Sequence, residues 1–406
     1  MAELHGTTNW IISRCESLSL LQSLVGVVVV GLCLGSYHWF RQQSLISTAP
    51  KNDQGDIKYP HIVPLQDFDW KNTEPLQFRP FRGKEKYNLT MAIETLDPSD
   101  LIPMDKTYKD RLALRKQLLN QHHDIVVAVN DTSTADARTH SAVHELYSFI
   151  MATYLPSRYP GMFKLHPSTN TTPAIFENTI TGASWPTRLS PETPTIRALE
   201  ILAQTVDEEF LILLPDISAS EHDPKYILQA YGTCFPSGFN TREKLGLRLA
   251  DIHTPVPGYA DKIERSMDRF FAKIEVGKFV KRVNWSVTTE TELFAAFGSV
   301  HGSHVSQDRQ GENLEKEERA LRLGELNIDE TVLRCERQTL HRLPDSKALV
   351  FSFHTYIYPI RQIKDEGLGE EFAVAIDGIK KGNVPGMHAY KRGNYWGEAV
   401  KEFLRS

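Results

Sequence analysis

The chain has 406 residues, which is enough for one large domain or two ordinary domains with a sizeable hydrophobic core. Hydrophobic residues make up 41% and charged residues 24%, as in ordinary globular proteins, and this composition argues against long disorder. The formal net charge of −5 argues against a nucleic-acid partner, because such a partner normally requires a basic face.

An uncharged, mostly apolar run of 23 residues stands near the start of the chain, at residues 18–40. At about 1.5 Å per residue, a helix of this length covers the hydrocarbon core of a bilayer, which is about 30 Å thick. Tyr37 and Trp39 lie where membrane proteins place interfacial aromatic residues. The sequence therefore predicts a transmembrane anchor at 18–40 after a tail at 1–17. A cleaved signal peptide is the alternative.

The orientation of this anchor is predicted from the charges that flank it. Arg41, Lys51 and Lys58 follow the run and only Arg14 precedes it, so the positive-inside rule favours a cytosolic body. The chain is thus expected to be a single-pass membrane protein, for example of the endoplasmic reticulum. A lumenal body is the alternative, because four N-x-S/T sequons are present. They are Asn88, Asn130, Asn170 and Asn284.

A polar, proline-bearing tether at 41–75 leads into a part of the chain that alternates helical and strand patterns. Helices are predicted at 106–122, 141–154, 193–206, 241–251, 261–274, 370–379 and 396–404. Strands are predicted at 210–214, 226–235, 279–288, 330–339 and 348–358. The predicted fold class is therefore α+β, with an antiparallel sheet between helical N- and C-terminal additions.

Four segments in this part resemble one known family, and they occur in the order that the family has. They are FRPFRGKEKYNLTMAIETLDPSDLIPMDKTYKDRLALRKQLL (78–119), CFPSGFNTREKLGLRLADIHTPVPGYADKI (234–263), RVNWSV (282–287) and ERQTLHRLPDSKALVFSFHTYIYPI (336–360). The family is the alpha subunit of haem-dependent oxidative N-demethylases, whose fungal relatives are named after an H-R-Q-like block. The resemblance implies a PAS-like haem domain at 76–390, followed by a C-terminal helix at 391–406.

The activity that this resemblance implies is O₂-dependent oxidation on haem b, by N-demethylation or hydroxylation of a small metabolite. Electrons would come from NADPH through a separate flavin or iron–sulfur reductase. The chain offers no dinucleotide fingerprint, and its cysteines have no cluster spacing. They are Cys15, Cys33, Cys234 and Cys335. A PAS-like haem sensor of gases or redox state, or a non-catalytic binding protein, is the alternative function.

Candidate haem contacts follow from the same segments. Haem iron needs an axial ligand, and the haem propionates need cations. By the resemblance, His253 in the proline-rich DIHTPVPGY segment is the proximal ligand and the metal site, with Cys234 as the rival. The alternative is that His253 is a loop histidine that only hydrogen-bonds a carbonyl. Arg337 and Arg342, together with Arg282, are expected to hold the propionates, because arginine binds carboxylates in a bidentate way.

Candidates for the opposite, distal side of the haem come from the signature block 336–360. A proton donor is expected there, and Gln338, Thr339 and His341 are the candidates because they lie in this block. Strand alternation places Arg337 and Thr339 on one face and Glu336 and Gln338 on the other. Aromatic walls of a substrate pocket are the last prediction, with core packing as the alternative. Their residues are Trp285, Tyr259, Phe235 and Tyr356.

Overall fold

A seven-stranded antiparallel sheet is the centre of the fold in the computed structural model, which describes residues 59–130, 136–169, 172–220, 223–297 and 320–406. The strands are β1 (Glu94–Thr95), β2 (Val127–Val129), β3 (Phe163–His166), β4 (Ile175–Asn178), β5 (Ser184–Pro186), β6 (Glu209–Pro215), β7 (Tyr226–Gly232), β8 (Phe279–Thr288), β9 (Val332–Arg342) and β10 (Leu349–Pro359). The order in the large sheet is β1-β8-β9-β10-β6-β7-β2, and β3, β4 and β5 form a small second sheet.

Helices surround the large sheet. They are α1 (Tyr108–Gln121), α2 (His123–Val126), α3 (Asp136–Ser148), α4 (Leu155–Arg158), α5 (Thr195–Thr205), α6 (Leu249–Ile252), α7 (Tyr259–Lys262), α8 (Glu264–Lys273), α9 (Ile360–Asp365), α10 (Gly369–Lys380), α11 (Met387–Tyr390) and α12 (Gly393–Arg405). A π-helical segment, Phe149–Tyr154, joins α3 to α4. Short 3₁₀ turns occur at Pro98–Asp100, Thr241–Lys244 and Leu323–Glu325.

The central strands are buried on both faces. β9 pairs along its length with β8 and β10, and all three are rich in the β-branched and aromatic residues that favour strands. Neighbouring residues of β6 belong to different hydrophobic clusters: Ile212 packs with Tyr147, and Leu213 packs with Phe271. This is the alternation that a strand imposes when helices cover both sides of a sheet.

Most of the long predicted elements are confirmed, including the helix predicted at 106–122, which corresponds to α1, and the strands β8 and β10. The helix predicted at 241–251 is wrong: a 3₁₀ turn ends at Lys244, and α6 starts only at Leu249. Gly246 explains the break, because its φ of +80° is not helical and its N–H donates to the Leu228 carbonyl of β7 at 2.8 Å. The short strands β1 to β5 carry too few residues for a periodic pattern and were not predicted.

The predicted fold class is corrected in one respect, the transmembrane helix. No helix within the described ranges is both long and apolar enough to cross a bilayer. The longest continuous helical stretch there, residues 136–158, carries polar side chains such as His140, His144 and Glu145. The segment 18–40 lies outside the described residues. The described part of the chain is therefore α+β and contains no helix that could span a membrane, and the predicted single-pass membrane localisation is not supported.

Two distant segments of the chain meet beside the sheet. The Tyr87 N–H donates to the Gly378 carbonyl of α10 at 3.0 Å. Glycine is required for this approach: a Cβ added at Gly378 would lie 2.6 Å from the Glu85 carbonyl oxygen, and one added at Gly382 only 1.6 Å from that of Tyr87. The segment around Tyr87 is thereby held against the C-terminal helices, close to the cavity described next.

Candidate functional site

A cavity lies against one face of the large sheet, and four parts of the chain line it. The sheet contributes mainly β8, β9 and β10, and the segment from Phe239 to Phe271, which includes α6 and α7, lines it as well. The segment that contains Tyr87 and the segment around α11 complete the wall. Its polar and aromatic lining includes Tyr87, Phe239, Lys244, His253, Tyr259, Lys281, Arg282, Asn284, Glu336, Gln338, Phe351, Phe353, Tyr390 and Lys391.

His253 stands at the end of α6, half-buried in the cavity wall. Its Nδ1 lies 2.8 Å from the Leu249 carbonyl oxygen, and its ring stacks on that of Tyr259 at 4.5 Å. A carbonyl only accepts, so Nδ1 carries the hydrogen and Nε2 keeps its lone pair. Burial lowers the pKa of His253 to about 4, so the imidazole is neutral at pH 7. A neutral imidazole with an available lone pair is the form that binds a metal.

The backbone after His253 holds this geometry. Gly258 has a φ of +72° and immediately precedes α7, which begins at Tyr259. A Cβ added at Gly258 would lie 2.7 Å from Cγ2 of Val384, so no larger residue fits without displacement. The stacking partner of His253 is therefore fixed by a turn that requires glycine.

Four cations line the cavity: Lys244, Lys281, Arg282 and Lys391. Burial lowers the pKa of Lys244 and of Lys391 to about 8, and burial also lowers the pKa of Arg282. The Arg282 Nε is buried and has no hydrogen-bond acceptor among the described residues. Lys281 also lines the cavity but lies 3.9 Å from a carboxylate oxygen of Glu94. A buried guanidinium without an acceptor indicates an anionic ligand.

Glu336 is the one carboxylate in the described lining. Its Oε2 accepts hydrogen bonds from Gln338 Nε2 at 2.9 Å and from Asn284 Nδ2 at 3.4 Å. Set against Lys244, Arg282 and Lys391, this single negative charge leaves an excess of about two positive charges when both lysines are protonated. The cavity therefore suits a group that carries two negative charges.

Several residues predicted from the sequence do line this cavity: His253, Tyr259, Arg282 and Gln338. Thr339 also contributes to the lining, but its Oγ1 is buried without a hydrogen-bond partner in the described part of the chain.

Arg337 and Arg342 do not line the cavity, and their hydrogen bonds have other functions. Arg337 donates to the backbone carbonyls of Leu101, at 3.0 Å, and of Asp100. Arg342 donates to the Ile274 carbonyl at 2.9 Å and also bonds the Tyr226 hydroxyl at 3.0 Å. Both guanidinium groups thus fasten loops to the sheet, and neither belongs to the lining of this cavity.

The remaining candidates lie away from the cavity. His341 is fully buried, stacks on Phe279 at 4.6 Å, and has a pKa that burial lowers to about 3. Phe235 packs under Arg111 at 5.0 Å. Two other residues that were predicted to form aromatic walls lie in the core. The ring centroids of Trp285 and Phe372 are 5.5 Å apart, and those of Tyr356 and His354 are 4.4 Å apart.

Cys234, the rival axial ligand, is fully buried and does not belong to the cavity lining. Burial raises the pKa of its thiol to about 12, whereas a thiolate ligand needs a lowered pKa. Its backbone N–H donates to Glu209 Oε2 at 2.6 Å, which is a structural contact.

Three residues that sequence reasoning missed as cavity residues are Lys244, Lys391 and Tyr87. Lys244 was assigned to a helix that does not form, and the other two come from opposite ends of the described chain. Only the cationic character of the two lysines could have indicated them, and the chain contains 46 lysines and arginines. No local pattern distinguishes these two.

The residues of the cavity fit a haem. His253 offers a neutral imidazole nitrogen for iron, and the cations Lys244, Arg282 and Lys391 match two propionates. Leucine, valine, methionine and phenylalanine side chains make up much of the remaining wall, as a flat apolar macrocycle requires.

Residues 92–401 match the family model described as haem-dependent oxidative N-demethylase, alpha subunit-like. The match covers more than half of the chain and includes both His253 and Lys391.

Proposed function

Because the chain belongs to the haem-dependent oxidative N-demethylase, alpha subunit-like family, we propose that it removes an N-methyl group from a small-molecule amine bound in the cavity. Membership makes it a haem-dependent oxidoreductase with a small-molecule substrate. The haem type, the substrate and the electron source are part of the proposal. In balanced form, the N-methylamine, O₂, two electrons and two protons give the demethylated amine, formaldehyde and water.

The observation that supports this proposal most is the state of His253. Its Nδ1–H is engaged by the Leu249 carbonyl at 2.8 Å, and Nε2 is left for the iron of haem b. When bound, haem supplies the activation of O₂ and the oxidation of the N-methyl carbon. The backbone carbonyl fixes the ring orientation, since a ligand imidazole works only at the correct angle.

We assign the two propionates to Lys244, Arg282 and Lys391. The unpaired Nε of Arg282 would gain an acceptor. The negative charge of the propionates would raise the pKa of the two lysines, which burial lowers, back toward the ordinary lysine value. Phe351 and Phe353 exclude water from the substrate side, which strengthens the polar contacts that remain. Gln338, at the same face, is the residue of the signature block that we place next to the substrate.

The electrons are proposed to come from NADPH through a separate reductase that carries flavin or an iron–sulfur cluster. The described residues contain no group of three or more histidine, cysteine or carboxylate side chains that could hold a metal ion. Cys234 and Cys335 are both buried free thiols. We therefore propose that the second redox centre belongs to a partner protein.

The test uses the full chain reconstituted with haem b and supplied with NADPH, a compatible reductase and a panel of N-methylamines. We expect substrate-dependent O₂ uptake and formaldehyde in equal amounts. His253→Ala should lose haem or change its spin state, and Cys234→Ala, the matched control, should keep the wild-type absorption spectrum.

Other outcomes contradict parts of the proposal separately. A hydroxylated product without formaldehyde would rule out demethylation and keep the oxygenase. Tight, reversible binding of O₂, CO or NO with no substrate-dependent uptake would indicate a haem sensor. Absence of a Soret band after reconstitution would contradict haem binding itself.

A further inference from the structure

A row of hydrogen-bonded polar side chains crosses the cavity face of β8 and β9. Asn284 lies opposite Glu336 in the strand register, and Arg282 lies opposite Gln338. Lys391 Nζ donates to Asn284 Oδ1 at 3.2 Å, Asn284 Nδ2 donates to Glu336 Oε2 at 3.4 Å, and Gln338 Nε2 donates to the same oxygen at 2.9 Å. The row begins at a cation and ends at Gln338.

This row determines which way each amide points. A lysine ammonium only donates and an ionised carboxylate only accepts, so Asn284 must turn its oxygen to Lys391 and its NH₂ to Glu336. Gln338 must likewise turn its NH₂ to Glu336. Its Oε1 is then left as an acceptor, and no residue in the described ranges donates to it. Gln338 is half-buried in a strand whose neighbouring residues are buried, because it faces the cavity.

We propose that Gln338 Oε1 accepts a hydrogen bond from the N–H of a protonated secondary or tertiary amine substrate, with Glu336 as the positioning residue. This inference rests on the proposed function and names the side chain that recognises its substrate. Glu336 fixes the amide and places a negative charge directly behind it, which makes Oε1 a stronger acceptor for a cation. Alkylamines are protonated at neutral pH and carry the required N–H.

The neighbouring strand supplies the apolar half of the site. Phe353 lies directly opposite Gln338 in the register of β10 and β9, and both line the cavity. Phe351 and Phe239 lie near Phe353, each at 6.2 Å between ring centroids. An ammonium with methyl groups fits such a place, because its N–H meets the amide oxygen and its methyl groups meet aromatic rings.

The cations of the cavity add a condition to this recognition. Lys244, Arg282 and Lys391 repel an ammonium, and Glu336 offsets only one of the three charges. The two propionates of haem would offset the other two. The amine is therefore expected to bind the haem-loaded protein and not the haem-free protein, so binding is ordered.

The experiment measures dissociation constants from the change in the haem absorption spectrum of the holoprotein. The probes are two charged and neutral pairs of similar shape: N-methylpyrrolidine with methylcyclopentane, and N,N-dimethylbenzylamine with isobutylbenzene. Gln338→Leu should weaken binding of the amines about tenfold or more and change the neutral probes less than about twofold.

Two further variants separate positioning from structure. Glu336→Gln should weaken amine binding and raise KM more than it lowers kcat, since it removes the charge and releases the Gln338 amide. Ser352→Ala, which changes a buried residue next to Phe353 on the other side of β10, is the matched control and should leave every dissociation constant unchanged.

The inference fails if Gln338→Leu weakens the amines and the neutral probes equally, because the side chain would then only shape the cavity. It also fails if the Gln338 and Glu336 variants bind amines like the wild type while the wild type turns them over. That result would leave the proposed function intact. A wild-type protein that binds haem but turns over no amine would instead contradict the proposed function.

Discussion

We expect the half-buried Lys244 and the buried Lys391 to make haem binding depend on pH in the alkaline range. Without an anionic ligand, burial lowers the pKa of each to about 8. Propionates favour the protonated lysines, so haem binding raises both pKa values and takes up protons above about pH 8. Haem affinity should therefore fall as the pH rises from about 8 to 10.

The measurement is a haem titration of the haem-free protein, followed by Soret absorption at pH 7 and pH 9.5. Lys391→Gln should bind haem more weakly at pH 7 and lose part of the alkaline decline. Equal wild-type affinities at the two pH values would contradict the assignment of the lysines to the propionates.

His341 makes the stability of the haem-free fold depend on pH in the acidic range. A histidine in the unfolded chain titrates near pH 6.5, whereas burial lowers the pKa of folded His341 to about 3. Between these values the unfolded chain binds a proton that the folded chain does not. The free energy of unfolding should therefore fall as the pH drops from about 6.5 toward 3.

Replacing His341 by leucine should flatten this acid dependence. Both ring nitrogens of His341 lack hydrogen-bond partners among the described residues, so the replacement should cost little stability at pH 7. Urea unfolding at pH 7 and pH 4.5 measures both effects, and His61→Gln at an exposed position is the control. An unchanged acid dependence in His341→Leu would contradict the role given to this residue.

At the level of secondary-structure elements, the contact between α10 and the segment around Tyr87 depends on close backbone approach. A Cβ at Gly382 would lie 1.6 Å from the Tyr87 carbonyl oxygen, which is backbone and cannot move alone. Gly382→Ala should therefore displace the Tyr87 segment from the cavity wall and destabilise the fold by about 1–3 kcal/mol.

Thermal unfolding and haem titration of Gly382→Ala test this expectation, and Gly367→Ala would not be a fair control because Gly367 has a positive φ. Gly324→Ala is the matched control, since a Cβ there meets nothing within 4 Å. If Gly382→Ala had wild-type stability and haem affinity, the close approach would be unimportant for the cavity.

The elements differ in how far the sequence could predict them. β8 and β10 have runs of ten and eleven residues, long enough for β-branched and aromatic enrichment to be read. β5 has three residues and depends on pairing with β4, which no local pattern encodes. The predicted 241–251 helix is wrong because Gly246 has a non-helical φ and its N–H bonds to β7, a contact that the local sequence pattern does not show.

The candidate site was predictable only in part, for a similar reason. Alternation separates Arg337 from Gln338, but β9 is buried on both faces, so the pattern cannot indicate which face borders the cavity. His253 was identified through family resemblance, since a single histidine has no periodic signal. Lys391 contacts Trp285 and Asn284 across more than a hundred residues, and only the tertiary fold brings them together.

For the molecule as a whole, haem should act as part of the core. A ligand that binds only the folded state stabilises it by an amount that grows with its concentration over its dissociation constant, about 4 kcal/mol at a thousandfold excess. Because the cavity joins strands, helices α6 to α8 and both ends of the described chain, the whole domain should share this gain. Scanning calorimetry should show one transition that haem moves to higher temperature.

In His253→Ala, haem should no longer raise the unfolding temperature, while the transition of the haem-free form should be preserved. This result would show that the stabilisation by haem depends on the axial ligand. A haem-dependent shift of the same size in that variant would contradict the ligand assignment. Two separate transitions, only one of them moved by haem, would show that the cavity is not shared by the domain.

The cavity wall that joins Tyr87 to Lys391 also has a consequence for biosynthesis. A ribosome adds about 5–20 residues per second and releases the N-terminal part first, so β8, β9 and His253 emerge well before Lys391. Until residues 387–391 have left the exit tunnel, one wall of the cavity and one of the three cations assigned to the propionates are missing. With haem bound as proposed, we expect haem capture to follow translation of the domain, so that cells short of haem accumulate a full-length apoprotein rather than stalled nascent chains.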